Sequence, residues 1–182
     1  MYVVGIDIGG QTSKIGVVDA RGTVLAQTVI RTDNHTEVEL YVAELAEAVK
    51  KVIKEAGVEG AVRGIGVGAP NGNYYNGTIE NAVNLSWGGA KTISFSKLLS
   101  EAMGGLPVAL TNDANAAAVG EMTYGAARGM KNFIMITLGT GVGSGIVING
   151  EVVYGHDGFA GELGHVAAVR NNGRQCNCGK AG

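Results

Sequence analysis

Val3-Val4-Gly5-Ile6-Asp7-Ile8-Gly9-Gly10-Gln11-Thr12-Ser13-Lys14-Ile15-Gly16-Val17-Val18-Asp19 is an apolar run, a glycine break and a second apolar run. Val3 to Asp7 has the length and β-branched content of a strand buried on both faces. Lys14 to Val18 reads as a second strand, Asp19 to Gly22 as a turn and Thr23 to Ile30 as a third strand, together an antiparallel meander. The pattern returns downstream. Thr137-Leu138-Gly139-Thr140 matches Asp7-Ile8-Gly9-Gly10, Ile146-Val147-Ile148 matches the strand through Val18, and Gly150 before Val152 matches Gly22 before Val24. Two copies of strand, glycine turn, strand, turn, strand imply two related lobes, each presenting a glycine turn to a shared cleft.

Between the copies the period changes to that of a helix. Val38, Tyr41, Val42, Leu45, Val49, Val52 and Ile53 recur at helical spacing, with Glu44, Glu47, Lys50, Lys51 and Lys54 on the other face. Thr36 and Glu39 have the spacing of a capping box, and Gly57 is placed to stop the helix. Val62 to Gly68 reads as a strand and Pro70 to Gly89 as a long loop of Asn, Gly and Tyr. Phe95 to Met103 reads as a short helix, Pro107 to Thr111 as a strand and Asp113 to Met122 as a helix. Phe133 to Leu138, Gly145 to Asn149 and Glu151 to Tyr154 are the second set of strands. The expected division is 1–122 for a first lobe and 123–182 for the start of a second.

Composition narrows the function. Of 182 residues, 46% are hydrophobic and 16% charged, enough to bury a core. The net charge is −2 with no Lys/Arg run, so nothing draws the chain to nucleic acid or to an anionic membrane. The 31 glycines far exceed the usual share of about 7% and predict tight turns and loops that hug a ligand. Met1 leads straight into the first apolar strand without a basic stretch or an A-x-A site, no apolar run approaches the roughly 20 residues needed to span a bilayer, and the only cysteines, Cys176 and Cys178, are too close to make good disulfide partners. A cytoplasmic protein is expected.

Each glycine turn can cradle phosphate, because backbone N–H groups approach an anion where no side chain intervenes. Asp7 to Lys14 adds hydroxyls at Thr12 and Ser13 and the Lys14 ammonium; Leu138 to Ser144 repeats the cradle. Neither is a Walker loop, and neither opens a helix. A carboxylate at the end of an apolar strand would be costly alone, and a hydrated Mg²⁺ would satisfy Asp7. Asn112-Asp113 stands where a strand becomes a helix. Asp113 there is either a helix cap or a base placed to take a proton from an alcohol, with the helix terminus lowering its pKa and burial raising it. Asn71, Asn73, Asn76, Asn81 and Asn84, with Tyr74, Tyr75 and Trp87, offer amides and aromatic faces to a sugar; the alternative is that Asn and Gly simply form turns. Glu162 and His165 could meet one ligand on a helical turn. His165, Cys176 and Cys178 suit Zn²⁺, although a structural zinc normally takes four protein ligands.

As an ordered set, these motifs resemble the ROK family, named for repressors, open reading frames and kinases, and most closely its glucokinase branch. They are Asp7-Ile8-Gly9-Gly10 with Lys14, Gly68-Ala69-Pro70, Asn84-Leu85-Ser86-Trp87, Asn112-Asp113-Ala114-Asn115, Leu138 to Gly143, Gly161-Glu162-Leu163-Gly164-His165 and Cys176-Asn177-Cys178-Gly179. The resemblance implies an α/β, ribonuclease-H-like, actin-type fold with a hexose between two lobes. It implies ATP and Mg²⁺ as cofactors, Asp113 as base toward the sugar 6-hydroxyl, and sugar contacts from Asn84, Asn112, Glu162 and His165. It also implies phosphate and Mg²⁺ contacts from Asp7, Gly9, Gly10, Thr12, Lys14, Gly139, Thr140 and Gly141. A structural zinc is implied at His165 and three cysteines. Gln11 departs from the family's usual Thr, and the family's third zinc cysteine would lie beyond Gly182, so the sequence reads as the front part of a longer kinase, inactive alone and a homodimer when complete. Other readings to be weighed are an N-acetylglucosamine or N-acetylmannosamine kinase, an inactive sugar-binding fragment, and a ROK-type transcriptional regulator, which would need a helix-turn-helix before the first strand.

Overall fold

In the computed structural model, which describes residues 1–139, 141–176 and 178–181, the opening run folds into three antiparallel strands: β1 (Tyr2–Ile8), β2 (Thr12–Asp19) and β3 (Val24–Arg31). The β2–β3 turn closes on Asp19, whose Oδ1 accepts the Arg21 and Thr23 N–H groups at 2.8 and 2.9 Å, while Gly22 takes the left-handed conformation at φ 85°. Helix α1 (Val38–Glu55) follows. Strand β4 (Val62–Ala69) then runs parallel to β1, and β8 (Val108–Asn112) runs parallel to β4, giving the order β3-β2-β1-β4-β8.

One face of this sheet carries the core. Val4, Ile6, Ile8, Ile15, Val17, Ile65, Val67 and Leu110 meet Tyr41, Val42, Leu45, Val49 and Val52 of α1, and Phe95 and Leu99 of α2 (Phe95–Ala102). Burying each such side chain is worth roughly 1.5–3 kcal/mol, so the stripe on α1 fixes the helix to the sheet. The expectation that β1 is buried on both faces fails among the described residues: Val3, Gly5 and Asp7 are exposed, in strict alternation with the buried positions. Neighbours on both sides within the sheet, here antiparallel β2 and parallel β4, do not bury a strand; cover on both faces does. The capping box also fails. The N-cap is Glu37, without a side-chain cap, so Glu39 occupies the second helical position rather than the third. The C-terminus is as expected: Gly57 at φ 65° returns its N–H to Lys54 and Val58 returns its own to Ile53, a Schellman motif.

The segment read as a long loop contains a small sheet, β5 (Gly72–Asn73), β6 (Thr78–Glu80) and β7 (Thr92–Ile93). Helix α3 (Asp113–Tyr124) leaves β8, and the chain divides into two compact units inside it, Met1–Ala116 and Ala117–Gly182. The second unit repeats the meander with β9 (Phe133–Leu138), β10 (Val142–Ile148) and β11 (Glu151–Val152), ordered β11-β10-β9. Asn149 and Gly150, both at positive φ, make the two-residue turn between β10 and β11. Strand β10 starts earlier than its apolar part because Gly143 and Ser144 pair with Thr137 and Ile136. No helix among the described residues is long and apolar enough to cross a membrane.

Candidate functional site

The parallel strands β1, β4 and β8 end together. Asp7 pairs with Gly68 and Ala69 with Asn112, so the residues after each strand share one edge of the sheet, where open α/β sheets bind ligands. After β1 the chain turns through Gly9 to Thr12, closed by the Gly9 N–H on the Thr12 carbonyl at 2.9 Å. Gly10 is required here: a Cβ would stand 3.0 Å from the Asn84 carbonyl oxygen. The first glycine turn and the Asn84 loop therefore touch. Asp7 is not the buried carboxylate expected from its strand. Its side chain is 59% exposed and lies 3.6 Å from the Lys14 ammonium, which is 70% exposed, a pair worth at most about 1 kcal/mol.

At the β8–α3 junction the cap and the acid are separate residues. Asn112 caps, its Oδ1 accepting the Ala114 N–H at 2.9 Å and, more weakly, that of Asn115 at 3.4 Å. Asp113 accepts the Ala114 N–H through Oδ1 at 2.8 Å, and no side-chain hydrogen bond to Oδ2 is found among the described residues. Partial burial raises the Asp113 carboxyl above its ordinary pKa, and the Asp7 charge raises it further; the Ala114 N–H opposes both. Between the helix-terminus and burial effects anticipated from sequence, burial dominates. Gly68 lets α3 sit this close, since a Cβ there would meet the Ala116 Cβ at 3.1 Å and the Asp113 Cα at 3.4 Å.

The Asn-rich segment divides into structure and site. The Thr78 hydroxyl donates to the Glu80 carboxylate, as do the Asn76 and Asn73 amides, and these bonds, the Thr78 one foremost, lower the Glu80 pKa against the opposing effect of burial. Asn71 at φ 53° donates to the Glu80 carbonyl, and Asn81 turns the chain at φ 52°. Asn84 remains exposed beside Gly10. Trp87 is not a sugar platform: it is 2% exposed and stacked on Tyr41 at 4.8 Å and Phe95 at 5.8 Å, inside the core.

In the second unit, Gly139 and Gly141 flank the second turn, with the Gly139 N–H on the Gly141 carbonyl at 3.0 Å; Thr140 lies outside the described residues. Ser144 donates to the Gly161 carbonyl and accepts the Leu163 N–H at 3.3 Å, which fixes the Glu162–His165 turn to β10. That turn is a 3₁₀ turn (Leu163–His165). The His165 Nε2 lies 3.8 Å from Glu162, and its Nδ1 lies 3.7 Å from the Cys176 Sγ. The donor atoms of His165, Cys176 and Cys178 fall within 4.8 Å of one another. One imidazole and two thiols at this spacing fit a zinc ion, with the Glu162 carboxylate placed to hold the far side of the imidazole. The Lys180 N–H and then the Cys176 thiol lower the Cys178 pKa to about 7, so its thiolate is readily available.

The profile of the ROK family matches residues 3–182. The chain belongs to the ROK family. It is 39% identical to a glucokinase from Halalkalibacterium halodurans, over all of this chain and 54% of that protein. It superposes on the crystal structure of a ROK family glucokinase from Streptomyces griseus in complex with glucose and AMPPNP with a TM-score of 0.82, at 34% identity, over 100% of this chain and 55% of that one. ROK hexokinase from Thermus thermophilus gives 0.83 at 38% identity, over 100% and 58%. A xylose repressor from Bacillus subtilis is 30% identical over all of this chain and 46% of its own length. The ROK chain described here spans about half the length of the curated relatives it matches. Its fold is the α/β, ribonuclease-H-like, actin-type fold of the ROK kinases.

Ser13 is not the cradle hydroxyl expected from the sequence: it faces the core behind the first turn. Ser13, Thr32 and Tyr41 are fully buried, and the Ser13 hydroxyl is 2.7 Å from both the Thr32 and the Tyr41 hydroxyls. Ser13 shares the buried face of β2 with Ile15 and Val17, so its polarity on an otherwise apolar face was the available signal.

Proposed function

We propose that the protein is the sugar-kinase half of a ROK glucokinase-type enzyme, transferring phosphate from ATP to the 6-hydroxyl of a hexose, with glucose as the preferred acceptor. The observation that carries this reading is Asp113: a carboxylate with a raised pKa whose Oδ2 has no side-chain hydrogen bond among the described residues, on the same sheet edge as a glycine turn. Transfer to an alcohol needs a base positioned for the hydroxyl proton, and catalysis is otherwise positioning and charge stabilisation. Asp113 takes the proton at Oδ2. The Asn112 amide uses its oxygen in the cap and keeps its N–H groups for a sugar hydroxyl, and exposed Asn84 offers a second amide. Glu162 and His165 supply the remaining sugar contacts on the second unit. Gly9, Gly10, Thr12 and Lys14 bind phosphate oxygens from one turn; Gly139, Thr140 and Gly141 do so from the other. Asp7, exposed and anionic at the sheet edge, is the residue to hold Mg²⁺, which neutralises phosphate charge when bound. His165, Cys176 and Cys178 hold a structural zinc together with a fourth ligand. The lobes of this kinase correspond to 1–122 and from 123 onward.

The repressor relative supports a second reading, a sugar-responsive regulator that uses the same sugar contacts without turnover. A coupled ATP assay of the full-length protein over a sugar panel separates them. The kinase reading expects kcat/KM for glucose above that for N-acetylglucosamine and N-acetylmannosamine. The reverse order would make it an N-acetylhexosamine kinase, and sugar binding without ADP formation would make it a regulator or an inactive binder.

A further inference from the structure

We infer that Ser13, Thr32 and Tyr41 are positioning residues that lock the phosphate-cradle turn to the sugar-contacting Asn84 loop through buried hydroxyls. The inference rests on the kinase reading above and deepens it. The three hydroxyls come from β2, from the segment after β3 and from α1, 19 and 28 residues apart along the chain, and meet at 2.7 Å with no exposed surface. Ser13 is the first residue beyond the Gly9–Thr12 turn, and Thr32 holds that turn a second time, donating its N–H to the Gln11 carbonyl at 2.9 Å. On the other side, the Tyr41 ring stacks on Trp87 at 4.8 Å. Ser86 donates to the His35 carbonyl at 2.7 Å and approaches the Thr32 carbonyl at 3.4 Å. Trp87 and Ser86 belong to the turn that presents Asn84, and the Asn84 carbonyl closes on Gly10. The loop that meets phosphate and the loop that meets sugar thus share one support.

Apolar packing alone would fill this space, as Ile15 and Val17 do further along the same face. Buried hydroxyls stabilise no better than apolar groups of the same shape, but they are directional and admit one arrangement. Gly9 and Gly10 have no side chains of their own with which to fix the position of the turn. The second unit uses a similar device: buried Ser144, on the strand after the second glycine turn, holds the Glu162–His165 turn.

The test uses the full-length protein with three variants. Tyr41→Phe keeps the ring in its stack and removes one hydroxyl. Thr32→Val removes another at nearly constant volume, and Thr32→Ser retains it. Binding of AMPPNP with Mg²⁺ and of glucose is measured by calorimetry, steady-state kinetics are measured with ATP and glucose, and backbone exchange is followed in segments 9–12 and 82–86. The expected result for Tyr41→Phe and Thr32→Val is a nucleotide Kd and KM raised roughly three- to tenfold, the scale of one lost buried hydrogen bond. Faster exchange in both segments and near-parental behaviour of Thr32→Ser are expected with it. Parental Kd, KM and exchange in both hydroxyl-less variants, with only Tm lowered, would overturn the inference and leave the kinase reading intact. Failure of the parent protein itself to bind AMPPNP would overturn both.

Discussion

Replacing Asp113 with Asn removes the proton-accepting charge and alters little else. The amide oxygen can still take the Ala114 N–H now held by Oδ1 at 2.8 Å, and the Asn112 cap is untouched. Loss of a general base costs about 10²–10⁴-fold in rate, which at 1.36 kcal/mol per decade is about 3–5 kcal/mol of barrier. The effect on stability has the opposite direction. The folded-state pKa of Asp113 is raised, so the fold favours the protonated carboxyl: the contribution to stability is present at low pH and is lost as pH rises through the folded-state value. At neutral pH the ionised carboxylate is a cost that the neutral amide does not carry. Asp113→Asn is therefore expected to lose turnover in a coupled ATP assay of the full-length protein while its Tm at neutral pH stays level or rises. In the parent, kcat should fall on the acid side as Asp113 protonates, and this limb should disappear in the residual activity of the variant. Turnover within about tenfold of the parent would remove Asp113 as the base. A clear fall in Tm would show that the carboxylate is a structural group and that the burial argument is wrong.

Two further outcomes follow from the geometry. Gly72→Ala puts a Cβ 2.5 Å from the Thr111 carbonyl oxygen, a backbone atom that cannot swing away; a loss of about 1–3 kcal/mol is expected in denaturant unfolding, and unchanged stability would mean that β5 does not pack on β8 this closely. Full-length protein purified at neutral pH should carry zinc, with an affinity that weakens progressively as pH falls below about 7, because protons then compete for the Cys178 thiolate; Cys178→Ser should lower the zinc content by elemental analysis, and metal-free parent protein would refute the assignment.

What was legible in the sequence had a local cause. The meanders follow from short apolar runs broken by turn residues, α1 from a stripe seven residues long in its apolar positions, and its end from Gly57. The small sheet β5-β6-β7 was not legible. Its strands have two or three residues, too few to show a period, and the carboxylate that organises them, Glu80, collects Asn73, Asn76 and Thr78 across a turn. Trp87 misled for the same reason. An indole within a polar, glycine-rich stretch reads as surface, and its burial depends on Tyr41 and Phe95, which arrive from two different helices. At Asn112-Asp113 the sequence shows a cap-forming pair but not which member caps; the backbone assigns the cap to Asn112, and no side-chain hydrogen bond to the Asp113 Oδ2 is found among the described residues.

The placement of the buried serines follows from what glycine can and cannot do. A turn that must bring its N–H groups against an anion needs residues without side chains, and Gly10 is held to this also by the Asn84 carbonyl 3.0 Å from where its Cβ would be. At the glycines themselves the same absence of side chains leaves only backbone hydrogen bonds as anchors, and glycine adds backbone entropy that ordering must overcome. Restraint then has to come from the strand behind the turn. Ser13 on β2 and Ser144 on β10 are the buried polar residues of those strands, and each bonds to a segment that carries a candidate sugar contact or supports one. On the proposed kinase reading, a phosphate donor held on bare backbone would have the position of that backbone tied to the acceptor's loops. Polar atoms inside an apolar strand face are the sequence-level trace of that tie.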